Sequence, residues 1–347
     1  MKNVALIMNL GSPDRADISS VRKYLKQFLM DKYVLDFPVV FRWLLVNGVI
    51  LRFRPKKTTE AYKAIWTNEG SPLLVISERV VEKLRSATSV PIYLAMRYGN
   101  PSIRDVLESI RDEHPDIETL SIVPMYPHYA MSTTKTIIEE LQNTICELGF
   151  HVQIKCKGPF YDDPKYIDAL SDSIAPYISG KYELYLFSYH GLPVRHLLKT
   201  DPTGQHCYSC DDCCNVPSEA HLYCYKHQVI KTTELVAERL NLPEDRFSVS
   251  FQSRVLKDPW ITPFTDSEIE RLAETGLKSI AVICPAFVSD NLETLEEIAI
   301  EGKETFVKSG GSVCDLIPCM NDNSLWIKAL KSYVESCLLY TSDADDE

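Results

Sequence analysis

The sequence lacks the features of several common protein classes. No uncharged apolar segment is long enough to span a bilayer, and residues 1–9 lead into a short apolar strand without the basic and small-residue flanks of a signal peptide. The formal charge is −11 and no long basic stripe is present, which argues against binding to a phosphate backbone. We therefore expect a cytoplasmic protein with no nucleic-acid partner.

Nucleotide-binding loops are missing as well. No Gly-x-Gly-x-x-Gly or Walker sequence follows a predicted strand, so a nucleotide site is poorly supported. Apolar runs typical of strands alternate with helical periodicity twice along the 347 residues, without detectable sequence repetition. This alternation predicts an α/β protein with two tandem doubly wound domains, parallel sheets and a cleft between the domains.

The same periodicity predicts the domain boundaries. We expect an N-terminal α/β domain at residues 1–134 and a C-terminal α/β domain at residues 135–315. Residues 316–347 should form a last amphipathic helix that is free to pack across the first domain, followed by an acidic tail. Residues 37–57 combine apolar and aromatic bulk with a basic cluster. A core helix is the default interpretation, and a pocket lip or an interfacial helix on anionic lipid is the alternative.

Candidate catalytic residues follow two of the predicted strands. His190 ends the apolar run of residues 184–189, at the strand edge where open α/β sheets bind ligands. Glu293, Glu297 and Glu301 recur at four-residue steps on a predicted helix with no Lys or Arg between residues 289 and 302. A solvated helix face would explain such a row of acids, but oxygen ligands facing an imidazole also suit a route for a divalent cation.

Further strand ends carry aromatic, hydroxyl and cationic side chains. Rings on which a ligand can stack and arginines that meet carboxylates suit a flat, largely apolar ligand with acidic substituents. The candidates for this pocket are Arg97, Tyr98, Tyr126, Ser188 and Arg254.

Five of the eleven cysteines fall within eighteen residues. They are Cys207, Cys210, Cys213, Cys214 and Cys224. Cytosolic thiols stay reduced, so this spacing predicts a four-ligand metal site rather than disulfides, holding either an iron-sulfur cluster or Zn²⁺. His206, His221 and His227 lie close enough in sequence to complete a zinc tetrahedron, and the spacing does not determine which four cysteines bind.

An ordered series of motifs resembles the ferrochelatase family over nearly the whole chain. The motifs are residues 4–13, 70–73, 126–134, 188–193, 251–254 with 260–266, and 287–295. The resemblance implies insertion of Fe²⁺ into protoporphyrin IX, forming protohaem, between two Rossmann-like domains of the chelatase type. It makes His190 the proton acceptor and a metal ligand, and Glu293 its acidic partner across the porphyrin. It also places Glu297 and Glu301 in an acidic metal-binding row on a helix that often has a π-type widening.

The resemblance carries further expectations. Arg97 and Tyr98 match a pair on the metal side of the pocket, and residues 37–51 match a pocket lip that can touch the membrane. Asn291 stands where many relatives have His, and Met131 where animal members place a cluster cysteine. An insert at residues 201–225 resembles a bacterial arrangement with an internal [2Fe-2S] cluster. We expect Cys207, Cys213, Cys214 and Cys224 to hold it, with Cys210 as the alternative ligand.

Two other functions remain open from the sequence. A coproporphyrin III ferrochelatase, or another class II metal chelatase such as a cobalt chelatase, would use the same residues. A noncatalytic iron or haem sensor would use the cysteine insert as its functional part and the cleft only for binding.

Overall fold

The structure is a computed structural model that describes residues 3–178, 180–254 and 258–339. The chain forms two compact units. The first comprises Met1–Met125, Ser132–Gly158 and the segment that begins at Ser324, and the second comprises Tyr126–Met131 and Pro159–Asn323. The predicted tail at residues 341–347 lies outside the described residues.

The first unit contains a four-stranded parallel sheet in the order β2-β1-β3-β4. Its strands are β1 (Asn3–Ser12), β2 (Ile92–Gly99), β3 (Thr119–Pro124) and β4 (Gln153–Cys156). Its helices are α1 (Ile18–Leu29), α2 (Val39–Trp43), α3 (Leu51–Ile65), α4 (Pro72–Ala87), α5 (Ile103–Glu113), α6 (Thr136–Glu147) and α12 (Ser324–Leu339). Two π-helical segments, Leu44–Ile50 and Met131–Lys135, lie before α3 and α6.

The second unit contains a parallel sheet of the equivalent order, β6-β5-β7-β8. Its strands are β5 (Leu184–His190), β6 (Phe247–Gln252), β7 (Ser279–Ile283) and β8 (Val313–Leu316). Its helices are α7 (Pro164–Ile174), α8 (Val194–Thr200), α9 (Tyr225–Arg239), α10 (Thr265–Glu274) and α11 (Lys303–Lys308). It also contains the π-helix Glu293–Gly302 and 3-10 turns at Ala175–Tyr177, Glu219–Leu222 and Glu244–Arg246. The prediction of two parallel α/β sheets is thereby confirmed.

Burial explains why the central strands read as continuous apolar runs. Parallel sheets are covered by helices on both faces, and residues 4–8 of β1 are accordingly almost fully buried. At the end of this strand Gly11 adopts φ +104°, and a Cβ there would lie 1.7 Å from the Tyr98 carbonyl oxygen. Only glycine fits where β1 and β2 run this close together.

Two sequence predictions differ from this architecture. The boundary expected at residue 134 places α6 and β4 in the second domain, whereas both belong to the first unit because β4 pairs with β3. The default interpretation of residues 37–57 as a core helix is also wrong. The segment is divided into α2, a π-helix and α3, and its apolar side chains are largely exposed, with Val40 at 68% and Phe53 at 76%.

One basic residue of that segment is nevertheless structural. Arg42 is buried, and its Nη1 donates to the carbonyl oxygens of Leu35 at 3.0 Å and Phe37 at 3.3 Å. In the part of the chain that is described, no helix has both the length and the apolar character needed to cross a bilayer.

Candidate active site

His190 ends β5, at the carboxyl edge of the second sheet and with part of its surface accessible. Its Nδ1 lies 2.6 Å from the Gly191 carbonyl oxygen. A carbonyl can only accept a hydrogen bond, so Nδ1 carries the proton and Nε2 is the basic nitrogen of the neutral ring. Burial lowers the pKa of His190 below its ordinary value of 6.5, and the Gly191 carbonyl and the Glu297 charge oppose this change. The ring is therefore neutral at pH 7 and can accept a proton or bind a metal.

The three predicted acids lie on the π-helix Glu293–Gly302. A π-helix has i→i+5 hydrogen bonds and more residues per turn than the roughly 3.6 of an α-helix, so a four-residue step comes close to one full turn. The acids at positions 293, 297 and 301 therefore lie along one side of the helix. Glu301 is exposed, whereas Glu293 and Glu297 are half-buried, so the row leads from solvent inward.

The electrostatic environment of Glu297 is set by its burial and by its neighbours in the row. Burial raises its pKa above the ordinary 4.5, and repulsion from Glu293 and, more weakly, Glu301 acts in the same direction. The Ser253 hydroxyl donates a 2.6 Å hydrogen bond to Glu297 Oε2, and this bond and the His190 ring oppose the rise in pKa. Like charges held together this closely are a feature of functional sites, because a bound cation would relieve the repulsion.

A buried polar network lies beneath these residues. Ser188 is fully buried, its hydroxyl donates to Gln252 Oε1 at 2.7 Å and it lies 2.8 Å from Thr265 Oγ1. The Gln252 amide nitrogen lies 3.5 Å from the Glu293 carbonyl oxygen. The expectation that Ser188 lines the ligand pocket does not fit this placement, because its hydroxyl is committed to the interior of the second unit.

In the first unit, Arg97 and Tyr98 meet at Asp31, a residue that the sequence did not single out. Arg97 Nη2, the Tyr98 hydroxyl and the Thr136 hydroxyl all donate to Asp31 Oδ2, at 2.7, 2.9 and 2.5 Å. Tyr98 is buried, and burial followed by the Asp31 charge raises its pKa well above the usual range. Tyr98 therefore remains a neutral donor inside this unit, and its place in the porphyrin pocket stays a prediction.

The remaining pocket candidates are more accessible. Arg254 is exposed, with Nη2 3.1 Å from Asp266 Oδ2 and its guanidinium 4.2 Å from the centre of the Phe264 ring. Tyr126 is half-buried at the start of the second unit. Of the five candidates, Arg254 presents the most open cationic group.

The cysteine insert is a loop anchored at one carboxylate. Asp201 Oδ2 accepts from the backbone N–H groups of His206 and Cys207, both at 2.8 Å, and Oδ1 accepts from that of Thr203 at 2.9 Å. Although burial opposes it, these bonds lower the pKa of Asp201. Local spacing alone could have suggested Asp201 as a turn residue that begins the loop.

Four of the five clustered cysteines are buried and the fifth is exposed. Cys207, Cys213, Cys214 and Cys224 are 3–5% exposed, whereas Cys210 faces solvent. Hydrogen bonding from the Cys214 thiol, aided by Cys207, lowers the pKa of Cys224 to about 6 although burial opposes it. The buried thiols therefore lie near one another, and one is readily a thiolate.

The three neighbouring histidines bind the cysteine backbone. His206 Nε2 and His221 Nε2 lie 2.8 and 3.2 Å from the Cys213 carbonyl oxygen, and His227 Nδ1 lies 2.7 Å from that of Cys214. The His221 and His227 rings stack with centroids 3.6 Å apart. Each of these nitrogens donates to a carbonyl and cannot bind a metal at the same time.

Metal-binding geometry is not formed in the described structure. Across residues 3–178, 180–254 and 258–339, no group of three or more His, Cys, Asp or Glu side chains is arranged to hold a metal ion. The support for a cluster is therefore the donor set itself, four buried thiols in one loop, and not a completed coordination sphere.

Comparison with solved structures defines the class of protein. SirB from Bacillus subtilis with Fe³⁺ matches with a TM-score of 0.54 and 13% identity, covering 97% of this chain and 96% of the other. The sirohydrochlorin chelatase SirB in complex with cobalt matches with a TM-score of 0.52 and 11% identity, covering 97% and 95%. Together with two four-stranded parallel sheets, these matches define an α/β protein of the chelatase fold.

Sequence comparison defines the family. The Ferrochelatase family model matches residues 2–338. A ferrochelatase from Opitutus terrae is 46% identical over 96% of this chain and 97% of its own length, and one from Pseudomonas fluorescens strain Pf0-1 is 46% identical over 95% and 96%. The chain belongs to the ferrochelatase family, and the predicted class of enzyme, a metal chelatase of haem biosynthesis, is confirmed.

Proposed function

We propose that this enzyme inserts Fe²⁺ into protoporphyrin IX, with His190 as the base and Glu293, Glu297 and Glu301 as the route of the metal. The observation that carries the proposal is the neutral imidazole of His190 beside Glu297, a half-buried member of an acidic row that leads in from solvent. The pairing of a neutral base with charged oxygen ligands supports exchange of protons for a divalent cation.

The reaction requires that two protons leave the porphyrin as one Fe²⁺ enters. His190 Nε2 accepts the two protons from the pyrrole nitrogens one after the other and releases each to solvent, while Nδ1 stays bonded to the Gly191 carbonyl. Glu301 and Glu297 replace water around the metal step by step, and Glu293 delivers it to the ring. Because the carboxylates repel one another when no metal is bound, each step inward relieves repulsion.

Anaerobic insertion of Fe²⁺ into protoporphyrin IX, followed by the absorbance of the product, tests the assignment. We expect His190→Ala to lose at least about 10²-fold in rate, the usual contribution of a positioned base. His151→Ala is the matched control, because His151 is exposed. Wild-type rates in His190→Ala would refute the role of this histidine.

The porphyrin substrate is the finer part of the proposal. Protoporphyrin IX and coproporphyrin III differ in the number of acidic substituents, and Arg254 is an accessible cation that could meet one of them. Side-by-side turnover of the two porphyrins, with Co²⁺ as a second metal, separates the proposed enzyme from a coproporphyrin III ferrochelatase and from a cobalt chelatase. Porphyrin binding without metal insertion would instead support the alternative of a noncatalytic iron or haem sensor.

We also propose that Cys207, Cys213, Cys214 and Cys224 hold a [2Fe-2S] cluster. The burial of these four thiols in one loop and the exposure of Cys210 support four thiolate ligands. When bound, such a cluster supplies one-electron redox chemistry and cross-links the loop.

Analysis of iron, zinc and acid-labile sulfide in the purified protein tests the cluster. We expect iron and sulfide in equal amounts and visible absorption that dithionite bleaches, both lost in Cys214→Ser and kept in the control Cys210→Ser. Loss in both variants, or one zinc per chain in a colourless protein, would contradict the proposed ligand set while leaving the enzyme intact.

Residues 37–57 support a third proposal, peripheral contact of a cytoplasmic enzyme with the inner face of the membrane. Exposed apolar side chains lie beside a basic run, a combination typical of segments that bind anionic lipid. They are Val39, Val40, Phe41, Trp43, Leu44 and Phe53, next to Arg52, Arg54, Lys56 and Lys57.

Flotation with vesicles containing anionic phosphatidylglycerol tests membrane contact. We expect binding that weakens with salt, is lower on phosphatidylcholine vesicles, and falls in Phe53→Asp. Leu222→Asp is the control, since Leu222 is 64% exposed in the second unit. Equal binding by both variants would argue against this segment as the contact.

A further inference from the structure

The short segment Gln252–Ser253 at the end of β6 contacts both halves of the candidate site. The Gln252 carbonyl oxygen accepts from the Gly191 N–H at 2.6 Å, directly after His190. The Gln252 amide lies 3.5 Å from the Glu293 carbonyl oxygen, and the Ser253 hydroxyl donates to Glu297 at 2.6 Å. One dipeptide therefore contacts the histidine turn, the backbone of the π-helix and the carboxylate of one of its acids.

Ser253 adopts a backbone conformation that serine rarely takes. Its φ is +61°, in the left-handed region that favours glycine and asparagine. Non-glycine residues in this region persist where the surrounding structure fixes them, and they are concentrated at functional sites. Here the conformation turns the chain out of β6 with the hydroxyl directed at Glu297 Oε2.

We propose that Ser253 is a positioning residue for metal entry. Its left-handed backbone directs the hydroxyl at Glu297 and so holds that carboxylate at the inner part of the acidic row. Without the bond, repulsion from Glu293 and Glu301 would drive the half-buried Glu297 carboxylate toward solvent. The hydroxyl contacts neither the porphyrin nor the transferred proton in this role. It acts through Glu297, and the inference rests on the proposed route of the metal.

Variants of Ser253 separate the hydroxyl from the backbone conformation. Ser253→Gly removes the hydroxyl and tolerates the positive φ, so the fold should be unaffected. We expect its KM for Fe²⁺ to rise about tenfold, the effect of one charge-assisted hydrogen bond, while KM for protoporphyrin IX stays unchanged. Ser253→Thr restores a hydroxyl, and we expect its KM for Fe²⁺ to lie closer to that of the wild type even if its Tm is lower.

Two controls make the test specific. Asn241→Gly changes another left-handed residue, φ +53°, at an exposed position after α9, and should leave both KM values unchanged. In a Glu297→Ala background, Ser253→Gly should have no further effect on KM for Fe²⁺, because the two residues act as one unit.

The outcomes distinguish this inference from the function on which it rests. If wild-type protein inserts no metal, the proposed function fails. If wild-type protein is active and Ser253→Gly keeps the wild-type KM for Fe²⁺, or raises both KM values equally, the positioning role of Ser253 is overturned and the enzyme assignment stands.

Discussion

Replacing Asp31 by asparagine should destabilise the first unit more than a surface substitution of the same kind. Oδ2 of Asp31 accepts from Arg97, Tyr98 and Thr136, and Oδ1 accepts from the Tyr33 backbone N–H at 2.7 Å. An amide has one acceptor oxygen, so its NH₂ group must face at least one of these donors. The substitution also leaves the guanidinium of Arg97 without its buried counter-charge.

The size of the effect follows from these contacts. Removing one partner of a buried ion pair costs about 3–5 kcal/mol. Asparagine retains one acceptor oxygen and Arg97 Nη2 still has Glu140 Oε2 at 3.4 Å, so we expect a smaller loss, about 2–3 kcal/mol. At about 2–4 °C per kcal/mol for a domain of this size, Tm should fall by roughly 4–12 °C.

Scanning calorimetry of wild-type protein, Asp31→Asn and a matched control measures this loss. The control is Asp112→Asn, which removes an exposed carboxylate that pairs with Arg111 at 3.1 Å and should shift Tm by less than about 2 °C. A Tm of Asp31→Asn within about 1 °C of the wild type would refute the reasoning, because the four donors would then have found other partners.

Two further predictions concern the pH dependence of metal insertion and the stability of a glycine variant at the end of β1. Metal insertion should decline as pH falls through the pKa of Glu297, which burial raises above 4.5, because protonation removes the charge that binds the cation. A pH–rate profile that Glu297→Gln leaves unchanged would argue against this assignment. Gly11→Ala should lower the free energy of unfolding by more than about 1 kcal/mol in urea melts, since its Cβ would meet the Tyr98 carbonyl. Gly276→Ala shares the positive φ, +103°, but has open space, so equal losses in the two variants would show that the contact contributes nothing.

Much of the fold could be predicted because its signals are local. The central strands β1, β3, β5 and β7 are short apolar runs, and the alternation of such runs with helical periodicity predicted the two sheets. His190 and the row of acids were identifiable because a histidine after a strand and acids at a regular step are visible in the sequence. The family resemblance also favoured the four cysteines of the insert that are buried.

The rest depends on contacts between distant residues. Asp31 meets Tyr98 across 67 positions, and Ser253 meets Glu297 across 44, and no local pattern encodes such pairs. Ser188 was misplaced for the same reason. A hydroxyl near a strand end suggests a ligand contact, but that of Ser188 bonds to the distant Gln252 in the interior. Residues 37–57 show that composition does not separate an apolar core helix from an apolar surface, because both contain the same side chains.

The last helix has a consequence for how the protein is made. α12 follows the second unit in sequence but contacts β3 and α4 of the first, where Trp326, Leu330 and Val334 are fully buried. During translation the first unit is therefore synthesised early but cannot complete its core until residues near position 334 have emerged from the ribosome. The second unit, by contrast, has all of its strands available before that point, so the half of the polypeptide made later can reach its native state first.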